Sequence, residues 1–236
     1  MKQHLINIHI PKTAGTTLRD TLGEIFNQIP HKPSFVFGPY EGGYADLRDG
    51  FIKLLPQLFD REERMISGHY RYRDIADVIS PVRERVALIT FLRDPVQRTL
   101  SDYFYCISEA HTDPEGFKNQ FPTFEDYMQS PGDMNKTLEY LKPFDSATSE
   151  EALYNAIEKF DFVGITENFD EDFQIVLQAL GGKSQPALRN NVNRNRQAMQ
   201  EALERYEPQL REILADEYII YNGILAHRGL SLPLKR

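Results

Sequence analysis

The sequence predicts an α/β fold with a central parallel sheet flanked by helices. Apolar runs at Leu5–Ile10, Val86–Leu92 and Phe160–Ile165 read as buried strands, and the middle one is apolar almost throughout. Each is followed by an apolar stripe at helical spacing. Strand-then-helix units in succession require crossovers, which place helices on the faces of a parallel sheet. In such sheets ligands gather at the carboxyl ends of the strands.

The first unit sets the pattern. Leu5, Ile6, Ile8 and Ile10 form the strand and Pro11 ends it; Leu18, Leu22, Ile25, Phe26 and Ile29 then mark one helix face. Between them lie Lys12, Thr13, Ala14, Gly15, Thr16 and Thr17. A small polar loop between strand and helix aims backbone N–H groups and a helix N-terminus at an anion. Gly15 permits a sharp turn, Thr13, Thr16 and Thr17 supply hydroxyls, and Lys12 supplies charge. The alternative is an ordinary strand-to-helix turn capped by Thr.

Pro30–Gly50, punctuated by Pro and Gly, reads as a loop that would line a cleft or simply turn the chain. Asp46–Phe59 is predicted helical. Met65–Ser67 is a short strand running into Gly68-His69-Tyr70, and Asp74–Ile79 is a brief helical turn. In the second unit Val86–Leu92 leads to Arg93, then Asp94 as N-cap and Pro95 as first helical residue. Val96, Leu100, Tyr103, Phe104 and Ile107 continue its stripe. His111–Pro122 reads as a polar loop. Phe124–Met128, Asn135–Leu141 and Glu150–Lys159 read as helical. The third unit carries Phe169, Phe173, Val176, Leu177 and Leu180, closed by Gly181-Gly182 as a C-terminal cap. RNNVNRNR (189–196) has no periodicity. Helices over Gln197–Tyr206 and Pro208–Leu225 and a loose tail from His227 complete the chain.

At 236 residues the chain can bury one well-formed core. Its formal charge of −8 argues against nonspecific nucleic-acid binding but leaves room for a local basic pocket. Cys106 is the single cysteine, so neither an intrachain disulfide nor a Cys-rich zinc site is expected; it reads as a small core residue. The start of the chain lacks a signal-peptide pattern, and no apolar run reaches the ~20 residues of a membrane span. These features predict a cytoplasmic protein.

HIPKTAGTT departs from the nucleotide-triphosphate pattern G-x-x-x-x-G-K-[ST], because the leading Gly is absent and the Lys stands at the strand end. It resembles the 5′-phosphosulfate loop of sulfotransferases that use 3′-phosphoadenosine 5′-phosphosulfate (PAPS). Among them it looks most like the carbohydrate uronyl 2-O-type enzymes and their bacterial relatives. Arg93-Asp94-Pro95-x-x-Arg98-x-x-Ser101-x-Tyr103 is similar to the family segment that holds the 3′-phosphate through the Arg and Ser. From the residues alone, Arg93 and Ser101 can share one phosphate, or Arg98 and Asp94 can simply pair on the surface. FVGITENFDEDFQIVLQALG and YIIYNGIL also resemble family segments, so the likeness spans most of Leu5–Leu225.

The resemblance implies a P-loop-NTPase-like three-layer fold and a single sulfotransferase-like domain over residues 1–236. It implies donor contacts from Pro11, Lys12, Thr13, Ala14, Gly15, Thr16, Thr17, Arg93 and Ser101. Arg189, Asn193 and Arg194 stand where a late loop closes on the nucleotide, although they equally suit a solvated basic loop. His69 resembles the Gly-His base of the uronyl enzymes, and a histidine suits proton abstraction from a hydroxyl; the alternative is a structural histidine. His9 reads as packed within a strand. Arg71, Arg73, Arg83 and Arg85 either recognise an anionic acceptor or are surface charges offset by Asp74, Asp77 and Glu84. The implied reaction is sulfuryl transfer from PAPS to a hydroxyl-bearing acceptor, a saccharide or small molecule. His69 and Lys12 are its catalytic residues, and no metal is expected. The rivals are a nucleoside-triphosphate-dependent kinase and a noncatalytic nucleotide- or glycan-binding relative.

Overall fold

The computed structural model describes residues 4–26, 43–60, 65–187 and 196–230. Its elements in chain order begin with β1 (His4–Ile8), α1 (Gly15–Phe26), α2 (Gly43–Asp60), β2 (Met65–Gly68) and α3 (Tyr72–Ile79). Next come β3 (Val86–Leu92), α4 (Pro95–Cys106), α5 (Pro114–Gln120), α6 (Phe124–Met128), α7 (Pro131–Met134), α8 (Lys136–Leu141) and α9 (Ser149–Lys159). The series closes with β4 (Phe162–Ile165), α10 (Phe169–Ala179), α11 (Arg196–Ile213) and α12 (Ala215–His227).

The four strands form one parallel sheet in the order β2-β1-β3-β4. Strand side chains alternate between faces, so β1 feeds two cores. Ile6 and Ile8 join Ile66, Leu88 and Leu92 against residues of α2, α3, α9 and α12. Leu5 joins Met65, Ile89 and Phe91 against Leu18 and Leu22 of α1 and Phe173, Val176 and Leu177 of α10. A third apolar cluster ties α4 to α6, α7 and α11 through Val96, Leu100, Tyr127, Met134 and Leu210. The helices therefore cover both faces of the sheet, as expected.

The P-loop-NTPase-like assignment is corrected. A nucleotide-triphosphate loop opens with Gly and carries its Lys at the helix start. Here Lys12 stands three residues ahead of Gly15, the first residue of α1. What forms is an α/β fold whose four-stranded parallel sheet is flanked by helices and whose first loop is built differently.

Three other expectations change. His111–Pro122 contains α5, because Asp113 caps it by accepting from the Gly116 N–H at 2.9 Å and Pro114 starts it. Helix α11 runs through Pro208, and the break falls at Leu214. Pro208 cannot bond the carbonyl of Glu204, but both residues are exposed, so that carbonyl is open to solvent rather than buried unpaired. Helix α2 begins at Gly43, inside the predicted Pro30–Gly50 loop; residues 27–42 lie outside the described ones. Gly181 does cap α10: its φ is 77°, and Gly182 N–H donates to Leu177 O at 2.9 Å.

Candidate active site

From β1 the chain goes to β2 on one side and then to β3 on the other, so the strand order reverses between β1 and β3. A crevice opens at the carboxyl ends of strands where the order reverses. The loops after these two strands carry Lys12 and Arg93, and Arg93 donates from Nη1 to the Lys12 carbonyl at 3.3 Å. His69 follows β2 on the same edge, and pairing runs one residue past β1, with His9 N–H donating to Gly68 O at 2.8 Å. Three segments far apart in sequence thus meet at one end of the sheet.

The loop after β1 is strained. Lys12 (φ 69°) and Ala14 (φ 62°) are the non-glycine residues with positive φ among the described ones. Such a conformation costs roughly 1–2 kcal/mol per residue. Alternating handedness folds successive N–H groups into a concave anion-binding nest. Ala14 O accepts from Leu18 N–H at 3.0 Å, so the N–H groups of Gly15, Thr16 and Thr17 open α1 without helical partners. Thr13 turns inward: it is buried, and its hydroxyl donates to Ile10 O at 2.8 Å. Thr16, Thr17 and Ser101 are half-buried. Gly15 is required by its surroundings, since a Cβ there would lie 2.1 Å from Cδ2 of His9.

Lys12 and Arg93 are half-buried cations, and neither makes an ion pair among the described residues. The Lys12 ammonium lies 3.8 Å from the ring centroid of Tyr105. Burial pulls the pKa of Lys12 down, and Arg93 and Lys136 add to that against Asp102 and Cys106. Burial likewise lowers Arg93, against the fields of Glu167 and Asp94.

Other basic groups are neutralised. Fully buried Arg98 reaches Asp102 at 3.3 Å, Thr99 Oγ1 at 2.9 Å and Asp133 O at 3.0 Å. The expected Arg98–Asp94 alternative does not form. Asp94 instead caps α4, accepting from Gln97 N–H at 2.9 Å, and also accepts from Tyr218 OH at 3.0 Å. Asp102 further accepts from Lys136 at 2.5 Å and Tyr127 OH at 3.1 Å. Burial would raise this carboxyl, but Lys136 and Arg98 overcome it and hold the pKa at about 2.

Arg71 pairs with Asp74 at 2.6 Å. Arg73 pairs with Glu139 at 3.1 Å and Asp145 at 2.8 Å. Arg83 pairs with Asp161 at 2.6 Å, and Arg85 stacks 3.7 Å over Phe59. Among the described residues, Asp74 is the one expected partner that is met, most closely by Arg71; Asp77 pairs with Arg48, Arg73 and Arg83 find Glu139, Asp145 and Asp161, and Arg85 has a ring rather than a carboxylate.

His69 Nδ1 lies 2.7 Å from the carbonyl oxygen of His9. A carbonyl only accepts, so Nδ1 carries the proton and Nε2 is left with its lone pair. The ring stacks on His9 at 4.5 Å and meets Tyr140 edge-on at 6.3 Å. Burial lowers its pKa to about 4, with the His9 carbonyl and Asp102 opposing and Lys136 assisting. The arrangement is a neutral imidazole on the same edge of the sheet as the loop after β1. Arg189, Asn193 and Arg194 lie outside the described residues.

Sequence reading singled out neither Asp102 nor Lys136 nor Tyr105. Asp102 had a signal, four residues after Arg98 on one helix face. Lys136 had none, since 34 residues separate it from the carboxylate it meets.

The sequence model of the sulfotransferase family matches residues 1–221, and the chain belongs to that family. Together with the loop geometry, this replaces the P-loop-NTPase assignment with a sulfotransferase α/β fold. A search of curated protein sequences finds no match. Among solved structures, the chain is similar to a sulfotransferase from Alicyclobacillus acidocaldarius, with 14% identity, 98% of each chain covered and a TM-score of 0.49. It is also similar to a retinol dehydratase solved with androsterone and the inactive cofactor PAP, with 12% identity. That alignment covers 99% of this chain and 84% of the other, with a TM-score of 0.33.

Proposed function

We propose that the protein is a PAPS-dependent sulfotransferase acting as a single domain, moving a sulfuryl group to an acceptor hydroxyl on a saccharide. The observation that carries this reading is the pair Lys12 and Arg93. Both are half-buried at the strand-order reversal and neither is ion-paired among the described residues, whereas neighbouring buried cations have carboxylates. Burial disfavours both charges, a cost that an anion with two charged ends would relieve. The residues present fit such a donor. Lys12 and the N–H groups opening α1 hold the 5′-phosphosulfate, with Pro11 and Thr13–Thr17 shaping the loop. Arg93 and Ser101 hold the 3′-phosphate, and Arg189, Asn193 and Arg194 belong to the same proposal.

PAPS, when bound, supplies an activated sulfuryl group with a phosphate as leaving group. Lys12 offsets charge on the departing oxygen. His69, neutral at pH 7 and protonated at Nδ1, receives the acceptor's proton at Nε2. The field of Asp102 favours the resulting imidazolium and that of Lys136 opposes it. The saccharide assignment is supported by the Gly68-His69-Tyr70 resemblance to uronyl 2-O-type enzymes.

The test couples binding to turnover. Adenosine 3′,5′-bisphosphate should raise the melting temperature, by about 2.7 kcal/mol of stabilisation at a hundredfold excess over Kd. ATP·Mg²⁺ should not. Labelled PAPS should transfer its label to uronate-containing glycans. Stabilisation by ATP·Mg²⁺ alone would overturn the donor assignment, and bisphosphate binding without transfer to any glycan or small alcohol would mark a noncatalytic relative.

A further inference from the structure

His9, the residue just past β1, has no role in the chemistry above, yet it touches both halves of the site. The edge of its ring lies against Gly15: a Cβ there would come within 2.1 Å of Cδ2 and 2.2 Å of Nε2. The face of its ring stacks on His69, centroids 4.5 Å apart and planes 24° from parallel. Its backbone carbonyl takes the Nδ1 proton of His69 at 2.7 Å. Its own amide is fixed to Gly68 O, beside His69, at 2.8 Å. One residue therefore spans from the first residue of α1 to the imidazole after β2. We propose that His9 is a positioning residue, which sets the spacing and ring orientation between the donor loop and His69.

The inference rests on His69 being the base. Because the His9 carbonyl belongs to the backbone, it survives any substitution; the ring is what a variant removes. Without the ring, the His69 imidazole loses the flat surface that fixes its plane, and water enters beside it. Among the described residues, the charged and titratable groups facing His69 include His9 from the end of β1, Asp102 from α4, and Lys136 and Tyr140 from α8. Those facing His9 are His69, Arg19 and Lys12. Hydration would release His69 from the burial that now outweighs the opposing effects of the His9 carbonyl and Asp102.

The experiment uses ¹⁵N-histidine-labelled protein, with His69 assigned by comparison with His69→Gln, and follows tautomer and titration by NMR. In the wild type His69 should be the Nδ1–H tautomer and titrate near 4. In His9→Ala its titration should move up toward 6.5 and its tautomers should mix. In His9→Phe, which restores a flat ring, both should return toward wild type. Transfer from labelled PAPS to uronate-containing glycans should fall about 10–100-fold in kcat for His9→Ala. Bisphosphate affinity should change little, and most of the rate should return in His9→Phe.

A structural role alone would lower the folded fraction and leave the titration of the folded protein where it was. That result, or wild-type kcat in His9→Ala, overturns the inference. Should His9→Ala not fold, His9→Leu serves the same comparison with His9→Phe, and equal kcat in the two overturns it. The base reading fails separately, if His69→Gln keeps the wild-type rate.

Discussion

Lys12 and Arg93 are half-buried cations that make no ion pair among the described residues. An unpaired, partly desolvated guanidinium gains more from an anion than one already bonded to a carboxylate. Arg93→Ala should therefore weaken adenosine 3′,5′-bisphosphate binding by roughly 1.5–3 kcal/mol, about 10–150-fold in Kd, read by calorimetry. Ser101→Ala should cost less, as a neutral hydrogen bond is weaker than a charge-assisted one. Wild-type affinity in folded Arg93→Ala would remove Arg93 from the donor site. Lys12→Ala should lower kcat more than it lowers bisphosphate affinity, and the opposite pattern would make Lys12 a plain anchor.

At this scale the sequence exposed Lys12, Arg93 and His69, because each follows an apolar run that declares a strand end. It hid the Asp102–Lys136 pair, whose members meet only through the packing of α4 against the segment carrying α7 and α8. It also left open which arginines are neutralised. That depended on partners as distant as Arg83 and Asp161.

Among the elements, the turn from β1 into α1 concentrates the strain. Positive φ at Lys12 and Ala14 and the contact of Gly15 with His9 place three unfavourable or intolerant positions within four residues. Gly15→Ala puts a methyl inside the His9 ring's space, an overpacking that typically costs about 1–3 kcal/mol. If the His9 contact is the cause, the cost should shrink in a His9→Ala background, a coupling that a double-mutant cycle in urea reads directly. Equal costs in both backgrounds would place the strain elsewhere.

The same turn explains what could be read beforehand. Apolar periodicity revealed the strands and stripes of β1–α1, β3–α4 and β4–α10, since each buries its apolar face, α1 and α10 against the sheet and α4 against α6, α7 and α11. Short helices such as α5 were obscured because capping by Asp113 and Pro114 outweighs a polar composition. Helix α11 continues through Pro208 because the carbonyl it leaves unbonded belongs to an exposed residue, a surface setting that the residue type alone does not reveal.

Taken whole, the molecule keeps two histidines at the sheet's carboxyl edge in a state that acid will reverse. His69 titrates near 4 when folded and near 6.5 when unfolded, and His9 is lowered too, first by burial and then by His69. Between those values the unfolded chain binds a proton that the folded chain refuses. Stability from these histidines is thus complete above 6.5 and lost as pH falls through the folded value. For His69 the full loss is about 2–3 kcal/mol, allowing for its partial exposure. Asp102, held at about 2 against burial by Lys136 and Arg98, adds a second loss below 3.8. Glu167 and Glu217 act the other way: burial raises both pKa values, so their contributions are complete below 4.5 and fade as pH rises. The histidine window lies higher and should dominate the first descent. Urea midpoints for the wild type should fall between pH 7 and pH 4.5, and His69→Gln, which cannot take up the proton, should lose less over the same interval. An equal loss in both proteins would mean that His69 is not held neutral by the fold, and the proton acceptor would then have to be sought elsewhere in the site.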